Sequence, residues 1–138
     1  MSSMQRSTFT LTASVDDTST PVPSDAYEVP KGVGVGGVFV VTALDTGGDF
    51  DGGTVGAIIQ ATNQANATDD APASGASWET IGGGTLTPAE AATAAYLGDG
   101  NLTVDLSPCR WIRLLPVVGG TPVNIALSAY GKFDYWKG

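Results

Sequence analysis

Thr8–Val15, TFTLTASV, alternates at every step: Phe9, Leu11, Ala13 and Val15 are apolar, and Thr8, Thr10, Thr12 and Ser14 are small and polar. Side chains on an extended backbone repeat every two residues and those on a helix every 3.6, so this pattern suits a strand with one buried face. The same period returns near the other end of the chain, where Val123, Ile125, Leu127 and Ala129 alternate with smaller or polar residues. Between them, runs of β-branched and apolar residues are divided by Gly, Asp, Ser, Thr and Pro clusters, which are turn signals.

The remaining segments follow the same logic. Asp16–Pro30 reads as a loop, with Tyr27–Val29 extended. Val33–Leu44 carries β-branched residues on both faces, as a central strand does. The glycines of DTGGDFDGG, Asp45–Gly53, predict a turn. Thr54–Thr62 is the next strand, and Asn63–Ser77, polar and Ala-rich, is expected as a long mobile loop. Ser77–Ile81 and Thr85–Thr87 are extended around the GGG bend, and Leu102–Leu106, Cys109–Val118 and Val123–Tyr130 complete the strands. Thr87, Pro88, Glu90 and Gly98 occupy cap, first-turn and C-terminal positions of a short helix near residues 88–97, and a strand through Ala94–Tyr96 is the competing reading. About eight short strands separated by turns predict an all-β fold, a single antiparallel β-sandwich of jelly-roll type over residues 8–138. Residues 1–7 are expected as an N-terminal arm.

Charge and residue usage exclude several functions. Six Lys and Arg against fourteen Asp and Glu leave a net charge of −8, opposite to what binding a phosphate backbone needs, so no nucleic-acid partner is expected. No segment is long and apolar enough for a membrane span, and MSSMQRSTF lacks the apolar core of a secretory signal. Asn66 and Asn101 match the glycosylation sequon, which without export reads as chance. The chain has no His, so the commonest general base and most zinc chemistry are absent, and no cofactor or metal is expected. Cys109 opens an apolar strand after Pro108 and reads as a small buried hydrophobe. Asp45, Asp49 and Asp51 match no EF-hand spacing, and a solvated turn explains them equally well.

ALDTGGD, Ala43–Asp49, resembles the Asp-Thr-Gly loop of retroviral-type aspartic proteases. The second element of that family, an apolar strand entering a Gly-Arg-Asp or Gly-Arg-Asn turn, is missing, so a hairpin turn is the expected role and no catalytic residue is assigned.

LSPCRWIRLLPV places Arg110 and Arg113 around Trp111. Alternation puts Arg110 with Ile112 and Leu114 and puts Arg113 with Trp111 and Leu115, so the cations form no patch. Each is expected to lay its stem on apolar neighbours and to find a carboxylate or carbonyl locally, which makes Arg110, Trp111 and Arg113 structural strand residues. ASWETIGGGTLT, GNLTVDLSPCRWIRLLPV and TPVNIALSAYGKF together resemble jelly-roll domains of the galactose-binding or discoidin type over Ser77–Phe133. The same pattern is similar to small structural proteins of tailed bacteriophages, which TFTLTASVDDTSTPVP and GTVGAIIQATN resemble more closely. In the discoidin type, ligands are held by variable loops, from which no residue can be matched.

The phage resemblance implies a non-enzymatic virion protein. The leading expectation is a capsid decoration or cement protein on the capsid surface, made in the host cytoplasm. Its implied partners are the major capsid protein and copies of itself, as a homotrimer or other homo-oligomer. Candidate contacts are Arg6 in the arm and Phe133, Tyr135 and Trp136 in FDYWKG, residue types that anchor interfaces. A frayed end and an ordinary last strand are the plainer roles for those two segments. The alternative is a carbohydrate- or receptor-binding module of a fibre or spike. The loop Asn63–Ala76 has no aromatic residue to serve one, though Trp78 and Tyr96 are available.

Overall fold

The computed structural model describes residues 3–29, 33–86, 94–96, 102–104 and 110–137. Among these residues every regular element is a strand, and all strand pairs are antiparallel. The strands are β1 (Ser3–Val15), β2 (Pro21–Val22), β3 (Tyr27–Glu28), β4 (Val33–Asp49), β5 (Thr54–Thr62), β6 (Glu79–Leu86), β7 (Ala94–Tyr96), β8 (Leu102–Val104), β9 (Trp111–Gly119) and β10 (Val123–Lys137).

One sheet runs β2-β1-β10-β4-β7, with β8 also pairing β4, and the other runs β3-β9-β5-β6. The pairs β1·β10, β3·β9, β4·β7 and β5·β6 are nested, as if one long hairpin had been wound on itself. That winding is the jelly-roll order, and the protein is an all-β, single-domain antiparallel sandwich.

The alternating faces meet in the middle. Phe9, Leu11, Ala13 and Val15 of β1 and Ile125, Leu127 and Ala129 of β10 form one side of the core. Val55, Ala57, Ile59 and Ala61 of β5 with Ile112 and Leu114 of β9 form the other, and Val29 joins them. Thr8, Thr10 and Thr12 remain exposed on the outer face of β1.

The chain crosses between sheets through Pro21–Val29, and polar groups fasten that crossing. The buried Ser24 donates its backbone N–H to the Leu114 carbonyl (2.9 Å), and its Oγ accepts the Leu114 N–H (2.8 Å). Tyr27 stacks on Phe9 with ring centroids 4.2 Å apart, and its hydroxyl is hydrogen-bonded to Ser7. At the β4–β5 connection, Asp51 and Gly52 both have positive φ (50° and 68°), and the Gly53 N–H reaches the Phe50 carbonyl (2.7 Å). Two consecutive left-handed residues make a type I′ turn, which Asp-Gly tolerates well.

Several elements depart from the sequence expectation. β1 begins at Ser3, so residues 3–7 of the expected arm are strand paired with β10. β10 runs seven residues past Tyr130, and β4 runs on to Asp49. The expected turn over Asp45–Gly53 therefore shrinks to Phe50–Gly53, and Asp45 is a rung opposite Ile125. Ala94–Tyr96 is strand rather than helix, because pairing with Thr42–Leu44 overrides the local Ala-rich preference; the rest of the helix expectation lies outside the described residues.

Candidate functional site

Three regions carry the residues singled out in the sequence. The first is one end of the larger sheet. Past the rung Phe9–Gly131, β1 and β10 continue in unbroken register, setting Ser7 opposite Phe133, Arg6 opposite Asp134, Gln5 opposite Tyr135 and Met4 opposite Trp136. On the other side of β10, Phe133 pairs with Gly37, Tyr135 with Gly34 and Trp136 with Val33 of β4. Arg6, Phe133, Tyr135 and Trp136 thus lie within a few rungs of one continuous ladder rather than on two separate tails. Arg6 is exposed there.

The second region is the outer side of the smaller sheet. Ile112 and Leu114 are wholly buried in the core, so the alternate residues Trp111, Arg113 and Leu115 face away from it. Arg110 stands just before β9, and its guanidinium lies over the Trp111 ring, 4.2 Å from the centroid. The expected grouping of Arg110 with Ile112 and Leu114 is therefore corrected. A guanidinium on that face would lose its hydration inside an apolar core, so the chain turns it outward instead. Arg110 Nη1 donates to Asp69 Oδ1 (2.5 Å), Nη2 donates to the Asp69 carbonyl (2.7 Å), and the Arg110 N–H donates to Asn63 Oδ1 (2.7 Å). The bond to Asp69 raises the guanidinium pKa above its ordinary value, against the pull of desolvation. Arg113 makes a parallel arrangement with its guanidinium 4.3 Å from the Trp78 ring centroid and its Nε donating to Gln60 Oε1 (2.9 Å). With neutral partners, burial lowers its pKa. Trp111 is almost fully buried, at 2 % exposure, although it lies outside the inner cluster.

Arg110 holds down the segment that the sequence presents as a mobile loop. Residues 63–78 are internally hydrogen-bonded, with a bridge between Ala65 and Pro72 and backbone bonds from Asn66 to Ala71 (2.9 Å) and from Ala73 to Gln64 (2.9 Å). Asn66 Nδ2 donates to Asp70 Oδ1 (2.9 Å), so the sequon amide is engaged inside its own turn. The Thr68 hydroxyl and the Asn66 amide hold the Asp70 carboxyl below its ordinary pKa. At the opposite loop, the Thr20 N–H, the Thr18 hydroxyl and the Thr18 N–H converge on Asp16 and lower its pKa in the same way.

The third region has no counterpart in the sequence reading. Where β5 and β6 diverge, a cleft of about 340 Å³ opens, lined by Ala61, Thr62, Asn63, Gln64, Ser77, Glu79 and Ile81. Its residues are distant in sequence and individually ordinary, so only the pairing of the hairpin reveals it.

The other candidates yield less. Asp49 Oδ1 accepts the Asp51 N–H (2.8 Å), and Asp51 Oδ2 accepts the Thr121 hydroxyl (3.0 Å), so both carboxylates serve their turn. Among the described residues there is no group of three or more His, Cys, Asp or Glu placed to share an ion, and no helix is long and apolar enough to cross a membrane. Cys109 and Asn101 lie outside the described residues. No protein-family model matches this chain, and no curated protein matches it.

Proposed function

We propose that this chain is a virion structural protein of a tailed bacteriophage, a capsid decoration (cement) protein that stabilises the head through contacts with the major capsid protein and with its own copies. The observation that carries this reading is the shared ladder of Arg6, Phe133, Tyr135 and Trp136. Interface energy concentrates in a few Trp, Tyr and Arg residues, and here these types are gathered at one end of a continuous sheet. A backbone ladder fixes their spacing before a partner arrives, which reduces the ordering cost of association. The jelly roll is a common framework of viral capsid proteins and also of lectins, so the fold agrees with the proposal without selecting it.

Co-sedimentation with expanded phage shells tests the reading. The protein is expected to saturate the shells at hundreds of copies per particle, an order-of-magnitude figure for contacts repeated over a lattice. Arg6→Glu and the pair Tyr135→Ala with Trp136→Ala should each weaken binding, the pair by roughly thirtyfold or more if it removes a hot spot. Thr12→Ala, on the exposed face of β1, should bind as the parent does. Failure to bind shells, or a few tens of copies per particle by quantitative mass spectrometry, overturns the decoration role. Equal binding by all variants moves the interface away from this end of the sheet.

A further inference from the structure

The outer side of the smaller sheet is apolar where a solvated sheet face is ordinarily polar. Val55, Ala57, Ile59 and Ala61 of β5 and Ile112 and Leu114 of β9 fill the core, so their alternates face outward. The register sets these in rungs: Gln60 opposite Arg113, Ile58 opposite Leu115, and Gly56 opposite Val117. Ile58 and Leu115 are half-buried, and Val117, at 47 % exposure, is the most exposed large hydrophobic among the described residues. Gly83 of β6 lies beside Ile58 and adds no side chain. On the larger sheet, by contrast, the outer face of β1 carries Thr8, Thr10 and Thr12.

Charge is ordered along the same face. Arg113 stands at one end, its guanidinium 4.3 Å from the Trp78 ring centroid and its Nε on Gln60. Unlike Arg110 it has no carboxylate, and its two Nη atoms make no hydrogen bond or ion pair among the described residues. In a chain with fourteen acids against six Lys and Arg, that is a cation left without an anion of its own. The opposite end of the face is the turn leading into β5, where Asp51 is exposed. Its Oδ2 accepts the Thr121 hydroxyl (3.0 Å), and its Oδ1 has no hydrogen-bond partner among the described residues. No acid lies between these ends on either strand, from Thr54 to Gln60 or from Arg113 to Gly119.

A face that is cationic at one end, aliphatic in the middle and acidic at the other is complementary to itself turned end for end. The Gly56–Val117 rung is the middle, with Arg113 a few residues to one side and Asp51 a few to the other. We propose that this face binds a second copy of the chain in an antiparallel two-fold dimer. Val117 meets Val117 at the axis, Ile58 and Leu115 flank it, and each Arg113 takes Asp51 of the other copy. Between the rungs Gln60–Arg113 and Thr54–Gly119, β9, β5 and β6 cover about 14 by 20 Å, at about 4.8 Å between strands and 3.3 Å per residue. That is small for an interface, so the free protein dimerises weakly, and attachment to a common shell raises the effective concentration. The inference rests on the self-contact in the proposed function; the dimer is measured without shells, so its failure is told apart from failure of shell binding.

Sedimentation equilibrium of the free protein up to about 1 mM tests it, with a dimer dissociation constant on the order of 100 μM expected. Val117→Asp puts like charges at the axis and should leave only monomer; the side chain is exposed, so the far-UV circular dichroism should match the parent. Arg113→Gln and Asp51→Asn should each weaken the dimer about fivefold, and together no more than either alone, because both remove the same pair. Asparagine tolerates the positive φ of position 51, so the turn is kept. Thr12→Asp, on the outer face of β1, should dimerise as the parent does. A parent that is monomeric at every concentration overturns the inference, as does a dimer that survives Val117→Asp. Loss of shell binding by Val117→Asp in a protein that never dimerises also overturns it and gives the face to the capsid protein.

Discussion

Arg110 links three parts of the molecule through one residue. Its backbone N–H holds Asn63, its guanidinium covers Trp111, and two of its nitrogens hold Asp69. Asp69 is itself largely exposed, with 71 % of its side chain accessible, so the ion pair alone is a weak fastening in water. The stack and the bond to the Asp69 carbonyl add geometry that a lysine cannot reproduce. Arg110→Ala is therefore expected to speed amide hydrogen exchange through residues 63–77 and to shift tryptophan emission to the red as Trp111 gains water. Arg110→Lys should resemble the alanine variant more than the parent. Exchange rates in this segment that match the parent would show that its internal bonds suffice to hold it.

At the scale of the element, glycine is the residue most easily misread. The glycines of DTGGD suggest a turn, because turns often need positive φ. In the structure Gly48 lies in β4, where β10 has a register shift between Val123 and Ile125 and Asn124 adopts φ 55°. A Cβ on Gly48 would fall well inside contact distance of the Val123 and Asn124 carbonyl oxygens, so glycine here permits close approach of two backbones. Only Gly52, in the type I′ turn, needs positive φ in this region. Gly48→Ala should destabilise the protein by about 1–3 kcal/mol in urea unfolding, as overpacking does. Gly75→Ala, where an added Cβ meets nothing, should change stability by no more than about 0.5 kcal/mol. The strand cores were legible because Thr8–Val15 and Val123–Tyr130 state their period locally. The N-terminal end was not: SMQRS has no alternation, and it is strand because β10 pairs with it. The cleft escaped for the same reason, since Gln64 and Glu79 acquire a relation only when β5 and β6 pair.

For the whole molecule, the acidic balance sets how stability answers to pH. The chain has no His, so few groups change charge between about pH 5.5 and 8, and stability should be nearly flat there. Below that range the carboxylates decide. Asp16 and Asp70 have folded-state pKa values depressed by hydrogen bonds that the unfolded chain lacks. A depressed carboxyl stabilises the fold fully above its unfolded pKa, and the contribution is lost as pH falls through the folded value. Stability should therefore begin to decline below about pH 4 and continue to fall as these two protonate. Both groups lie in exposed turns, so their share is small and local, and Asp16→Ala with Asp70→Ala should lower the neutral plateau slightly, by that share, and make the acid decline shallower. Urea midpoints from pH 7 to pH 2 measure this directly. Charge repulsion acts in the opposite sense, because a net charge of −8 opposes compaction at neutral pH and is relieved by protonation. Salt separates the two effects: raising ionic strength at pH 7 should increase stability by screening repulsion, and it should leave the short hydrogen bonds to Asp16 and Asp70 largely intact. A rise in stability on acidification below pH 4 would mean that repulsion outweighs the turn hydrogen bonds, reversing the assigned order of the two effects.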